Sequence, residues 1–407
     1  MRRGSSASTA GALDASSVER PAPAHLASLA TVVREWGRMG CVGFGGPPAH
    51  IALLRRLCVQ QRGWLEPRDF EDAIAACNLL PGPASTQLAI YCAGRVRGRA
   101  GALAGGVSFI VPGLILILAL SALFLASAPP AWVRGAGAGA GAAVAAVAVQ
   151  AGSTLLPGSW PHGELARRVR WLVYLVAGGA AAATVGPWLV LVLLACGAIE
   201  MAAQRALRPS SGLAAIGPVT LLASGSVATG GLLSLVWVAF KVGALSYGGG
   251  FVIIPLMQAD AVHRYHWLSA TGFLNAVALG QVTPGPVVQT VAAVGYAAAG
   301  VGGGLLAALV AFSPSFGFIL LGGERFDRLR RNRLARSFLD GAGPAAVGAI
   351  LGSAIPLARA LSEPWQLGVL GGAALLLLVA RRGVVPTLLL AGLAGTIVAL
   401  AGGPLPG

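Results

Sequence analysis

A chain of 407 residues that is 56% hydrophobic and only 11% charged cannot be a soluble domain. Soluble domains carry roughly a quarter charged residues, and too little polar surface would remain here to cover the apolar remainder. The net charge of +15, from 29 Lys and Arg against 14 Asp and Glu, lies in short arginine runs between apolar stretches, the layout of membrane-protein loops and not of a nucleic-acid-binding face; the class is an all-α polytopic membrane protein.

Residues 1–25 have no apolar core and read as a loose cytoplasmic tail, not a signal peptide. The first apolar stretch carries Arg34, Glu35 and Arg38, breaks at Gly45-Gly46-Pro47-Pro48, and resumes with His50. After an arginine-rich loop at 55–68, Glu71 and Asp72 open a segment that breaks at Pro81-Gly82-Pro83, with Asn78 before it and Ser85, Thr86 and Gln87 behind. Arg95, Arg97 and Arg99 precede the apolar run 101–126, and the nearly neutral residues 127–132 follow it. Residues 135–149 are almost all Gly, Ala and Val, a face that lets helices approach closely. Residues 171–203 suffice for two short spans divided near Gly186-Pro187, at about 20 residues per crossing. Residues 209–229 are weakly apolar and read as a linker or an extra span. The C-terminal half ends in three apolar stretches, 338–361, 365–380 and 384–401, the last two separated by Arg381-Arg382. The count is about 11 to 13 crossings. Five cysteines without CxxC spacing read as packing residues.

The two halves, 26–208 and 230–407, are copies. GCVGFGGP at 40–47 returns as GALSYGGG at 243–250, so Phe44, Gly45 and Gly46 match Tyr247, Gly248 and Gly249. Trp64-Leu65 matches Trp267-Leu268, Phe70 matches Phe273, Pro81-Gly82-Pro83 matches Pro284-Gly285-Pro286, and Gly101 matches Gly304, every pair 203 positions apart. Arginines stand before the run 101–126 in the first copy but after its counterpart 300–321 in the second, at Arg325, Arg328, Arg330, Arg331, Arg333 and Arg336. Because Lys and Arg mark the cytoplasmic side, the copies are expected to be inverted repeats, with the N-terminus cytoplasmic and the C-terminus outside.

Each copy has two breakers inside apolar sequence, so neither segment is a continuous helix. Open backbone at membrane depth is tolerated only where it is buried in protein or lines a cavity. The breaks are therefore expected to surround one interior site, either as spans or as re-entrant hairpins. Helix starts behind them, at Pro47 and Pro83 with Ser85 and Thr86, would offer N–H groups and a positive dipole end to an anion. Arg38 and Lys241, a matched pair of cations within apolar sequence, are expected to face that cavity. Asn78 and Gln281, also matched, offer amide donors. His50 is a candidate proton or anion contact, and Glu71 and Asp72 are candidates for proton coupling. No metal-ligand cluster, P-loop or redox-cofactor signature is present in the sequence, so neither a cofactor nor an enzyme is expected.

The FGGPPAH motif, the W-L-x-x-x-x-F spacing and the doubled PGP resemble the chromate ion transporter family (the CHR superfamily) in its long, two-repeat form, over residues 29–126 and 230–322. The resemblance implies chromate efflux across the bacterial inner membrane, conferring resistance. It places functional weight on Phe44, Gly45, Gly46, Pro47, His50, Pro81, Gly82 and Pro83, and on Tyr247, Gly248, Gly249, Pro284, Gly285 and Pro286. Asn78 and Gly250 depart from the family pattern, which leaves chromate against sulfate or another oxyanion open. A passive channel is the alternative to a carrier. The expected partners are an oxyanion and membrane lipid, not nucleic acid; proton coupling and a homodimer are left open.

Overall fold

In a computed structural model the described residues are 27–78, 80, 82–126, 128–161, 164–184, 188–206, 231–246, 251–322 and 332–406. The tail, the linker at 209–229, Pro81, and Tyr247, Gly248, Gly249 and Gly250 lie outside them. Among the described residues the structure is helical, with no strand.

Fourteen α-helices follow one another among the described residues. In the first repeat these are α1 (Leu29–Val42), α2 (Pro47–Arg55, widening into a π-turn over Arg56–Gln61), α3 (Pro67–Cys77), α4 (Ala84–Phe124), α5 (Ala131–Ser159), α6 (Leu165–Thr184) and α7 (Leu189–Ala206). The second repeat gives α8 (Leu232–Leu245), α9 (Ile253–Gln258, widening over Ala259–Arg264), α10 (Ala270–Val282), α11 (Thr290–Gly322), α12 (Arg333–Arg359), α13 (Pro364–Ala374, widening over Leu375–Val379) and α14 (Val384–Leu400). Ala84–Phe124, Ala131–Ser159, Val287–Gly322 and Arg333–Arg359 are long and apolar enough to cross a membrane.

The breaks of the first repeat resolve into hairpins. Arg62, just past the π-turn, pairs with Glu35 in mid-α1 at 2.8 Å, and Trp64 stacks on Trp36 at 6.2 Å between centroids. The chain has therefore come back alongside α1. The α3–α4 corner returns in the same way, since Asp69 near the start of α3 reaches Arg95 at 3.7 Å. Directly after, α4 bends at Arg97 and Gly98, the latter at φ 64°, and continues as a full-length helix. The matching bend in α11 falls at Ala299 and Gly300, again at φ 64°. These bends are 202 positions apart, not 203. The register slips by one just behind the PGP corners, so Gly303, not Gly304, is the structural counterpart of Gly101: a Cβ on either would meet a carbonyl one turn before the bend, that of Ala93 or Gly295.

Two contacts fix the relation of the copies. Gly40 of α1 packs on the Phe109 backbone of α4, and the equivalent Gly243 of α8 packs on Ala311 of α11. Gly106 lies against Phe316, and Gly304 against Leu118, so α4 and α11 run antiparallel where they meet. Repeats related by an axis along the membrane normal would bring these helices together parallel; antiparallel contact is what inverted repeats require. The outer helices are exchanged: α5 packs on α13 and α14, while α12 packs on α6 and α7.

The small-residue face on α5 does what its composition suggests. Gly135 and Gly139 meet the backbone of Gly395 and Ala391 on α14 with no room for a Cβ. Gly139→Leu should cost about 3 kcal/mol or more through overpacking, seen as a lower melting temperature in detergent, whereas Gly371→Leu, with nothing within 4 Å, should leave it unchanged.

Candidate functional site

Three of the four breaks, at Gly45-Gly46, at Gly82 and at Pro284-Gly285, come together crosswise; the fourth lies outside the described residues. Behind α1 the chain runs through Gly45 and Gly46 at φ 98° and 72° before Pro47 starts α2. There the Gly43 carbonyl accepts two hydrogen bonds, one from the backbone N–H of Gly285 in the second PGP corner, at 2.9 Å, and one from His50 Nε2, also 2.9 Å. Since that oxygen can only accept, Nε2 carries a proton, and Nδ1 is hydrogen-bonded to the Ser85 hydroxyl at 3.2 Å, which can donate or accept. The buried imidazole lies edge-on to Phe109. His50 thus ties the two breaks of the first repeat together while Gly43 holds the second repeat's corner.

The first corner in turn packs against the second repeat. Gly82, at φ 120°, sits against the Gly243 carbonyl and Ser315, where a Cβ would lie 3.4 and 3.3 Å from them. The platforms for the corners are also matched. Pro112-Gly113 in α4 carries the Pro284 carbonyl and Gln289, and Pro314-Ser315 in α11 carries Gly82, each pair 202 positions apart. Gln289 Nε2 donates to the Ile110 carbonyl at 2.7 Å, a further bond across the repeats.

Around these corners lie donors without partners. Thr86 Oγ1, Ser246 Oγ, Ser315 Oγ and Gln281 Nε2 are buried with no hydrogen-bond partner. The helices starting at Pro47 and Ala84, and the turn at Val287, have no side-chain cap. Buried donors left open cost free energy, and this set suits an acceptor-only guest such as an oxyanion.

A cavity of about 820 Å³ reaches the first corner. Asn78, Gly82 and Ala84 border it on that side, α5, α6, α7 and α12 wall it, and the exposed Arg167, Arg336 and Asp340 line it as well. Pro284, Gly285 and Pro286 do not line it and are buried. Gly82 and Pro83 are buried as well, so the corners differ in that the first borders this cavity and the second is buried away from it.

Other expected residues fall elsewhere. Arg38 lies on an exposed part of α1 and does not face the cavity. Lys241 is buried but ion-paired with Asp260, which is 1% exposed. The matched cations therefore sit in different settings, and the copies close their first hairpins differently: Glu35 with Arg62 in one, Lys241 with Asp260 in the other. Phe44 and Glu71 are exposed, Glu71 paired with Arg55, and Asp72 is half-buried. Among the described residues, no group of three or more His, Cys, Asp or Glu could hold a metal.

Duplicated antiparallel halves whose broken helices converge on an interior site are the architecture of a secondary transporter. The family model of the chromate transporter matches residues 30–201 and 233–398. The chain belongs to the chromate transporter family. It is 32% identical to a chromate transport protein of Cupriavidus metallidurans over 82% of this chain and 83% of that one. It is 29% identical to a chromate transport protein of Pseudomonas aeruginosa, over 89% and 90%. An uncharacterized transporter of Methanocaldococcus jannaschii is 25% identical over 82% and 85%. No solved structure matches.

Proposed function

We propose that this protein exports chromate across the bacterial inner membrane as a secondary carrier, conferring chromate resistance. The observation that carries this reading is the crosswise seating of the two PGP corners, of which the first borders the 820 Å³ cavity and the second does not. In pseudo-symmetric halves, whatever seals one corner can seal the other, so exchanging their environments would move the opening from one face to the other. A tetrahedral dianion would be held between the corners by the hydroxyls of Thr86, Ser246 and Ser315, by Gln281 Nε2 and by uncapped helix starts, with Asn78 on the approach side. These are neutral donors and dipole ends, which bind an oxyanion without trapping it behind a buried full charge. The family, the names of the relatives and the absence of a nucleotide motif in the sequence support a gradient-driven carrier over an enzyme.

The test is flux in proteoliposomes holding the purified chain. Chromate should accumulate above its equilibrium level when a pH gradient is imposed, and unlabelled chromate on the far side should accelerate exchange. Downhill flux alone, without exchange or accumulation, would make it a channel. Sulfate carried faster than chromate at equal concentration would reassign the cargo.

A further inference from the structure

We propose that Arg167 and Arg336 form an anion-recruiting site in the cavity and pass the oxyanion to the first PGP corner; this rests on the carrier reading above. Both side chains are exposed yet line the same cavity that Asn78 and Gly82 border. They come from different repeats, Arg167 from α6 and Arg336 from α12. Asp340 stands between them. It is one helical turn beyond Arg336, hence on the same face of α12, and its carboxylate is 3.5 Å from Arg167.

The neighbouring charges show what a structural ion pair looks like in this protein. Arg170 grips Glu200 with two bonds of 2.8 and 3.1 Å, and that carboxylate is 5% exposed and also takes the Tyr174 hydroxyl at 3.0 Å and Gln204 at 3.0 Å. Glu200 is thereby saturated and neutralised. Asp340 instead meets Arg167 at the edge of contact, with both side chains nearly half exposed, and takes Gln204 Nε2 at 3.1 Å. Arg336 has no side-chain partner among the described residues. With Glu200 already saturated, the cavity thus offers one weakly held guanidinium, and one with no side-chain partner among the described residues, beside the Asp340 carboxylate. A dianion can take both, displacing Asp340, which keeps Gln204. Guanidinium forks match the paired oxygens of tetrahedral oxyanions. The buried Trp171 indole N–H in the cavity wall, also without a partner, is a further donor beside them.

The test is the concentration dependence of chromate flux for the full chain in proteoliposomes. Arg167→Gln with Arg336→Gln should raise KM about tenfold, roughly the loss of 1.4 kcal/mol, with little change in maximal rate, and only for chromate offered on the side of these two arginines. Arg→Lys at both positions should restore most of it. Asp340→Asn removes the competing carboxylate and should lower KM, a change that damaged folding cannot imitate. An unchanged KM in the double Gln variant, or a raised KM in Asp340→Asn, overturns the site. A wild-type protein that carries no chromate would overturn the carrier reading instead, so the two failures are distinct.

Discussion

Replacing Lys241 or Asp260 alone should destroy the folded protein, and replacing both with apolar residues should bring it back. The pair is buried where α8 and the widened end of α9 lie side by side, with Asp260 at 1% and Lys241 at 9% exposure. Removing one member leaves an uncompensated charge, which costs about 3–5 kcal/mol, whereas an apolar pair of similar volume is often neutral or stabilising. Against a total stability of about 5–15 kcal/mol, the single loss is severe. Lys241→Met and Asp260→Leu should each give aggregated material on detergent size-exclusion, and the double variant a monodisperse peak with a near-native melting temperature. Arg38→Gln, on an exposed position, should fold normally and keep flux within about twofold, since exposed substitutions usually stay within ±0.5 kcal/mol. A Lys241→Met protein that folds but carries no oxyanion would return Lys241 to the substrate site.

That contrast shows where the sequence was informative. The duplication, the three breaks that fall on described residues and the inversion were legible because backbone chemistry is local: a Pro-Gly-Pro run breaks a helix in any context, and arginine bias marks sidedness. Hairpins rather than spans were not legible, because they are settled by Glu35 with Arg62 and Asp69 with Arg95, contacts between positions whose spacing carries no periodic signal. Matching Arg38 to Lys241 located two cations correctly in the repeat but could not show that Leu57 replaces Asp260 in the first copy, leaving Arg38 without that partner. The platforms were readable and missed: Pro112 and Pro314 each stand inside a long apolar helix, and they match only when the register is allowed to slip by one. Arg336 read as a loop charge because only the exchanged packing of α6 on α12 puts it in one cavity with Arg167.

Gly285→Ala should open the sealed corner and slow transport. Gly285 sits at φ 98°, where a side chain is strained by about 1–3 kcal/mol, while its N–H holds Gly43. If the corner changes shape when the carrier alternates, the strain falls on the sealed state alone, and 1.4 kcal/mol shifts the population about tenfold. If the corner is rigid, the strain is shared by both states and the balance does not move. The readout is labelling of Thr283→Cys, buried beside the corner, by an impermeant maleimide in a Cys41→Ser background, since Cys41 is the exposed native thiol among the described residues. Gly285→Ala should speed labelling about tenfold and cut flux to a similar degree. Gly82→Ala, at φ 120° with a Cβ that would crowd Gln87 at 2.6 Å, strains the first corner and does not relieve the second. It should therefore cut flux without accelerating labelling at 283. Identical labelling in wild type and Gly285→Ala, with flux intact, would mean that the corners are fixed supports and that whatever alternates in this protein lies elsewhere.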